Sequence, residues 1–317
     1  MFDKPMFKKL DFNKIKTYPI KERKSKVSIN HFVDLKDWQQ GDQIEKIFPK
    51  TLKANDLKKV ADDVVSSVKN AKPVIWGIGA HLIKCGLSTL IIDLMKRKLI
   101  TALAMNGAGA IHDFEIAFNG ETSEDVAGEI KEGRFGMVEE TGWMMNSALQ
   151  KHFNEEANLG EMWGKEIAEG DYKHKKYSLL AAGFEFSIPV TVHSAIGTDI
   201  THMHPSFDGS KIGQGTYNDF KLLTSIIANL EGGGCFFNIG SSVLLPEVFL
   251  KGLSVARNLG HDARGFTTVN MDMIQHYRPK ENVISRPTQD GGRGYSITGH
   301  HEIMLPLLYQ MILSRAE

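Results

Sequence analysis

Pro73-Val-Ile-Trp-Gly-Ile-Gly79 is an apolar run closed by glycine, and residues 99–105 form a second such run. Between them, His81 to Lys98 carries apolar residues at helical spacing. A strand–helix–strand unit of this length pairs its strands in parallel, through a right-handed crossover. That single unit constrains the fold most, because a parallel sheet must be covered by helices on both faces.

The pattern continues along the chain. Helices are expected at 122–133, 137–152, 158–169, 217–230, 246–259 and 302–315, with strands at 187–193, 234–239 and 265–270. Strands and helices alternate, so the expected fold is α/β: a doubly wound, mostly parallel Rossmann-like sheet with helices on both faces. Residues 1–60 are rich in lysine and carry only short apolar pieces, which predicts an N-terminal arm before a body at 61–317. Within the arm, Tyr18 to Lys26 is either a segment that docks on another surface or a solvated basic stretch.

Charge narrows the function classes. Lys+Arg and Asp+Glu number 38 each, so no global field favours nucleic acid or an anionic membrane. No run approaches the roughly 18 apolar residues of a membrane span. The two cysteines, Cys85 and Cys235, are far apart in apolar surroundings, which predicts reduced thiols in a cytoplasmic protein. Met1 to Lys9 lacks the apolar centre of a signal peptide. A small molecule is the expected partner.

Five expected strand ends carry glycine or polar residues: Gly77–Gly79, Asn106–Gly109, Ser194–Asp199, Ile239–Ser242 and Asn270–Asp272. Ligands of open parallel sheets bind outside the carboxyl ends of the strands, where these clusters would meet. Met105-Asn-Gly-Ala-Gly-Ala-Ile-His-Asp113 is the richest of them, a glycine turn opening a helix, and it predicts a pocket for an anionic cofactor. Neither Gly77-Ile-Gly79 nor Gly107-Ala-Gly109 completes the dinucleotide fingerprint, since Leu82 and His112 occupy the third-glycine positions.

The order of these segments resembles the deoxyhypusine synthase family. Ala80-His-Leu-Ile-Lys-Cys-Gly86 is similar to the family's S-N-x-I-S-S-G. Ala102 to Asp113 is similar to V-x-V-T-T-A-G-G-x-E-E-D, and Ile188 to Asp199 to I-P-V-F-x-P-A-x-x-D-G. Gly234 to Ser242 parallels G-x-I-I-L-G-G-G-V, and Ile297 to Leu308 the terminal V-x-A-D-A-S-x-x-F-P-L-L. The likeness spans about residues 72–310.

The resemblance implies an NAD-dependent enzyme acting on an amine or polyamine, assembled as a homotetramer. It implies cofactor contacts from His81, Asn106, Gly107, Gly109, Asp113, Gly240 and Ser241, with Asp199 also falling at that pocket. Asp272, at the last of the five strand ends, joins them as a cofactor residue. The departures are specific. The family's imine-forming lysine follows a Trp-Gly pair, but here the stretch is Asn282-Val-Ile-Ser-Arg-Pro-Thr288, with Lys280 nearby. Ile111 and His112 replace the acidic pair before Asp113, so spermidine and protein lysine do not carry over.

The residues then leave alternatives open. His112 or His300 supplies an acid–base group, or His300-His301-Glu302 is a cluster at a helix start. Arg286 and Arg293, in a glycine-rich tail segment with an expected loop at 289–295, suit a carboxylate or phosphate, or a subunit contact. Asp199, His202, His204 and Glu302 are candidate substrate contacts. His202 and His204 with Asp208 also have metal-ligand character, which makes a metal-dependent hydrolase an alternative, as is a non-catalytic NAD-binding or assembly protein.

Overall fold

The computed structural model describes residues 10–31, 48 and 51–316. Six parallel strands form the central sheet: β2 (Val74–Ile78), β3 (Ala102–Asn106), β5 (Val190–His193), β6 (Cys235–Ile239), β7 (Thr267–Asp272) and β8 (Arg293–Thr298). A separate antiparallel pair joins β1 (Val27–Ser28) to β4 (Glu121–Thr122). The sheet order is β5-β3-β2-β6-β7-β8. The chain therefore winds outward from β2 to β5, returns beside β2 as β6, and winds outward again. The reversal lies between β2 and β6, where doubly wound sheets leave a crevice at their carboxyl edge.

Alternation along the strands builds two cores. Val74, Trp76 and Ile78 face one side with Leu103 and Met105, against the helices Leu52–Lys69, Ser88–Lys96 and His301–Ala316. Ile75, Ala102, Ala104 and Phe236 face the other, against the helices Gly209–Ile227 and Leu244–Asn258. Phe236 stacks on Phe249 there at 3.7 Å between ring centres. Both faces are covered, as the strand–helix–strand unit requires.

Several local expectations are corrected. The helix expected over 81–98 is broken into His81–Lys84 and Ser88–Lys96 by Gly86, whose φ of 74° a helix cannot hold. The helix expected over 122–133 shrinks to Val126–Glu129 and one 3-10 turn. The loop expected at 289–295 contains the start of β8, an edge strand with a single fully buried side chain, Ile297. The helix Leu52–Lys69 runs through residue 60, with Leu57, Val60, Ala61 and Val64 buried at helical spacing. Tyr18 to Lys26 docks on the chain's own body: Tyr18 bridges Val138, and Ile20 N–H donates to Glu140 at 2.7 Å. Met1 to Lys9 lies outside the described residues. Among the described residues no helix is long and apolar enough to cross a membrane, and Cys85 and Cys235 are free thiols.

Candidate functional site

At the carboxyl end of β3 the chain turns at Asn106, whose Oδ1 accepts from Gly109 N–H at 2.9 Å and caps the helix Gly107–Asn119. The sequence predicts a cofactor cradle at this turn. The structure seats a carboxylate there instead. A Cβ on Gly107 would lie 1.9 Å from Asp199 Oδ2, so the glycine admits Asp199 to the positive end of the helix. Gly109 turns back onto Met105 and Asn106. Gly107→Ala is therefore expected to cost about 1–3 kcal/mol by overpacking, read by chemical denaturation. Gly213→Ala, whose Cβ meets nothing within 4 Å in another helix, is expected to be neutral or stabilising.

Asp199 is held by its own loop. Ser194 Oγ donates to Asp199 Oδ2 at 2.7 Å, and His202 Nε2 is 3.7 Å from the same oxygen. His202 Nδ1 accepts from Gly197 N–H at 3.0 Å, so the neutral ring carries its proton on Nε2. His202 thus cannot take a proton from Ser194, and the trio is a clamp on Asp199. Burial raises the Asp199 carboxyl above its usual range despite the Ser194 bond, and burial lowers His202.

Asp199 borders a cavity of about 220 Å³ with His112, Lys84, Glu124 and Arg23. Ile111, Val126, Phe135 and Ile200 supply its apolar wall. His112 Nδ1 lies 2.6 Å from Thr122 Oγ1, and that hydroxyl donates to Glu115 Oε2. Since the hydroxyl proton points to Glu115, His112 must donate through Nδ1, which leaves Nε2 with a lone pair. Burial holds the ring neutral, lowering its pKa to about 4 against the pull of Glu115, and Lys84 is near enough to oppose protonation further. Glu115 in turn meets Arg23 at 2.6 and 3.1 Å and Thr141 at 2.9 Å. A larger hollow of about 320 Å³ lies beside Pro189 at the amino end of β5, but Glu161 is its one ionisable group.

A second cluster stands at the β2/β6 reversal. Gly79 N–H donates to Ile239 O at 2.8 Å, and a Cβ on Gly79 would lie 2.0 Å from Gly240 O, so two backbones touch there. His301, buried, has Nε2 3.8 Å from Asp272 Oδ1 and packs edge-on to His81 at 5.7 Å. Ser241 is buried, and its Oγ accepts from Leu245 N–H. The short helix His81–Lys84 joins the clusters, giving His81 to one and Lys84 to the other.

Other expected site residues are engaged elsewhere. Asp113 is fully buried and caps the helix Leu179–Phe186, accepting from Ser178 Oγ, Leu179 N–H and Leu180 N–H. Arg293 begins β8, so it sits at the amino edge, paired with Asp63 at 2.8 Å. Arg286 donates to Asn282 Oδ1 at 2.7 Å, and Lys280 is exposed on the same segment. His204 is pinned to Gly136 O at 2.9 Å, away from the Ser194 and Gly197 partners of His202, so the two histidines do not converge. His300 is exposed, while its neighbour His301 faces the crevice. Glu302 is exposed beside Cys85. Sequence reasoning missed Lys84, Glu115 and Arg23, and it singled out His300 where the structure turns His301 inward.

No family model matches the chain. It is 22% identical over 313 residues to a probable deoxyhypusine synthase of Sulfolobus acidocaldarius, covering 89% of this chain and 96% of that protein. The resemblance to deoxyhypusine synthases is borne out. A candidate deoxyhypusine synthase from Entamoeba histolytica shares the fold, with TM-score 0.55 and 10% identity over 90% of this chain and 97% of that one. The ternary complex of AgrE with ornithine and NAD+ is also similar in fold, with TM-score 0.52 and 15% identity over 82% of this chain. This chain spans about a third of AgrE, matching 33% of its length. The chain is thus similar to deoxyhypusine synthases at a divergent level, and its stretch Asn282–Thr288, which parallels the family's lysine segment, carries no lysine.

Proposed function

We propose that the chain is an NAD-dependent enzyme that acts on a small amine. One observation carries this: the Asp199 carboxylate and the neutral His112 border one small cavity at the carboxyl edge of the sheet. Asp199 and Glu124 suit an ammonium group, and the apolar wall suits a short aliphatic chain. His112 Nε2 takes the amine proton while Thr122 holds the opposite ring nitrogen. Asp199 orients the amine through its free lone pairs, and the Ser194–His202 clamp keeps it in place.

The residues at the β2/β6 reversal fit a dinucleotide. Gly79 and Gly240 let the two strand ends close on each other and on His301, and the buried Asn238 Oδ1, just before Gly240, is an acceptor with no hydrogen-bond partner among the described residues. Gly79, Gly240, Ser241 and Asp272 would hold the cofactor, whose bound nicotinamide supplies a hydride acceptor for the carbon carrying the amine. In this reading the cofactor does not use the Gly107 turn, where Asp199 packs against the glycine.

The test is mass spectrometry of small molecules released on denaturation, followed by NAD titration and a screen of amines for NADH formation. NAD binding with amine-dependent NADH formation is the expected result. Binding without turnover leaves the non-catalytic alternative, and no binding at millimolar NAD overturns the proposal.

A further inference from the structure

The helix His81–Lys84 closes at Cys85, whose N–H donates to His81 O at 2.9 Å, and Gly86 then leaves the helix at a φ of 74°. Residues four apart on such a turn share a face, so the His81 imidazole and Cys85 thiol project together. Glu302, in the first turn of the helix His301–Ala316, meets them from a distant part of the sequence. Its Oε2 is 3.8 Å from Cys85 Sγ. One ring nitrogen, the sulfur and one carboxylate oxygen all lie within 4.8 Å of one another. Among the described residues, this is the group of His, Cys, Asp and Glu side chains gathered closely enough to share an ion.

We infer that His81, Cys85 and Glu302 form a binding site for a transition-metal ion of the zinc class. The nitrogen, sulfur and oxygen donors select against magnesium and calcium, which take oxygen ligands. Three protein ligands leave a fourth, open position, as in zinc sites that bind water or a small ligand. His301 packs edge-on against His81, and His300 Nδ1 is 3.8 Å from Glu302 Oε1, so two more imidazoles border the site. On binding, Cys85 gives its thiol proton to solvent and the thiolate coordinates the ion. Cys235 cannot substitute: it is buried in β6 against Ser67 Oγ at 3.2 Å. This site assigns to His81 a ligand role that the resemblance does not, and it requires neither NAD nor an amine.

The test uses the full chain, freed of metal with a chelator and titrated with cobalt(II), then with zinc. One equivalent of cobalt is expected to give a thiolate charge-transfer absorption that zinc removes. Cys85→Ser abolishes that absorption, Cys235→Ser retains it, and Glu302→Gln, at an exposed position, weakens binding by about tenfold or more. X-ray absorption of the zinc-loaded wild-type protein keeps the test independent of how the variants fold. One sulfur at about 2.3 Å with nitrogen or oxygen at about 2.0–2.1 Å is expected. A zinc shell without sulfur, or a cobalt absorption that survives Cys85→Ser, overturns the inference. NAD titration of the same samples reports separately on the proposed enzyme.

Discussion

Arg23→Ala is expected to destabilise the protein by about 3–5 kcal/mol, the usual consequence of stranding one member of a buried ion pair. Arg23 and Glu115 are both 1% exposed, and the guanidinium grips the carboxylate with two nitrogens. Burial alone would push Glu115 up, but Arg23 and the hydroxyls of Thr122 and Thr141 hold it below its usual range. Without Arg23 the desolvation remains and its compensation is gone. The sign with pH follows. In the variant Glu115 becomes easier to protonate in the folded state, so the deficit shrinks as pH falls and is largest near neutrality. Arg23→Met with Glu115→Gln is expected to recover most of the loss, because neither buried charge then remains. Urea denaturation of the two variants at several pH values measures this. A deficit under about 1 kcal/mol for Arg23→Ala, unchanged with pH, would sink the idea that the arm is bound by this pair.

The same pair explains why part of the site could not be read from sequence. Arg23 lies in a lysine-rich arm whose charge pattern equally suits a solvated stretch, and nothing local couples it to Glu115. The strands were legible for the opposite reason: Val74–Ile78 is apolar throughout and Cys235–Ile239 is interrupted only by Asn238, because helices cover both faces. β8 was not legible, since an edge strand with one fully buried residue shows no such run. Missing it also placed Arg293 on a loop, when it starts a strand at the amino edge. Asp199 caps the turn that follows β5, and His112 lies in the second turn of the helix that follows β3, so both stand on segments leaving the carboxyl edge of the sheet. Asp113 follows His112 directly, yet one helical step turns it into the core, a rotation that residue type does not reveal. His300 and His301 repeat that ambiguity at the last helix.

His112→Ala is expected to lower kcat for the amine substrate by about 10²–10⁴, the range lost with a general base. The hydrogen-bond chain fixes what else must follow. Glu115 and Thr122 set the proton on Nδ1, so Thr122→Val removes the acceptor that selects this tautomer and should lower kcat less than the alanine variant. Because burial brings His112 down to about 4, its basic form persists well below neutrality. The profile of kcat/KM should stay level from neutral pH past pH 6 and fall only as pH approaches about 4, where protonation removes the base. Lys84 is one of the charges opposing that protonation, so Lys84→Met should move the acidic limb upward. An acidic limb near pH 6.5, typical of a solvated histidine, or one indifferent to Lys84→Met, would assign the base elsewhere. Whether the limb moves at all separates His112 from Asp199: losing a cation raises the limb of either group, but Lys84 acts on His112, whereas Asp199 answers to burial, Ser194 and His202. Loss of the limb's response in His112→Ala, together with the fall in kcat, is the joint outcome that only a base at His112 produces.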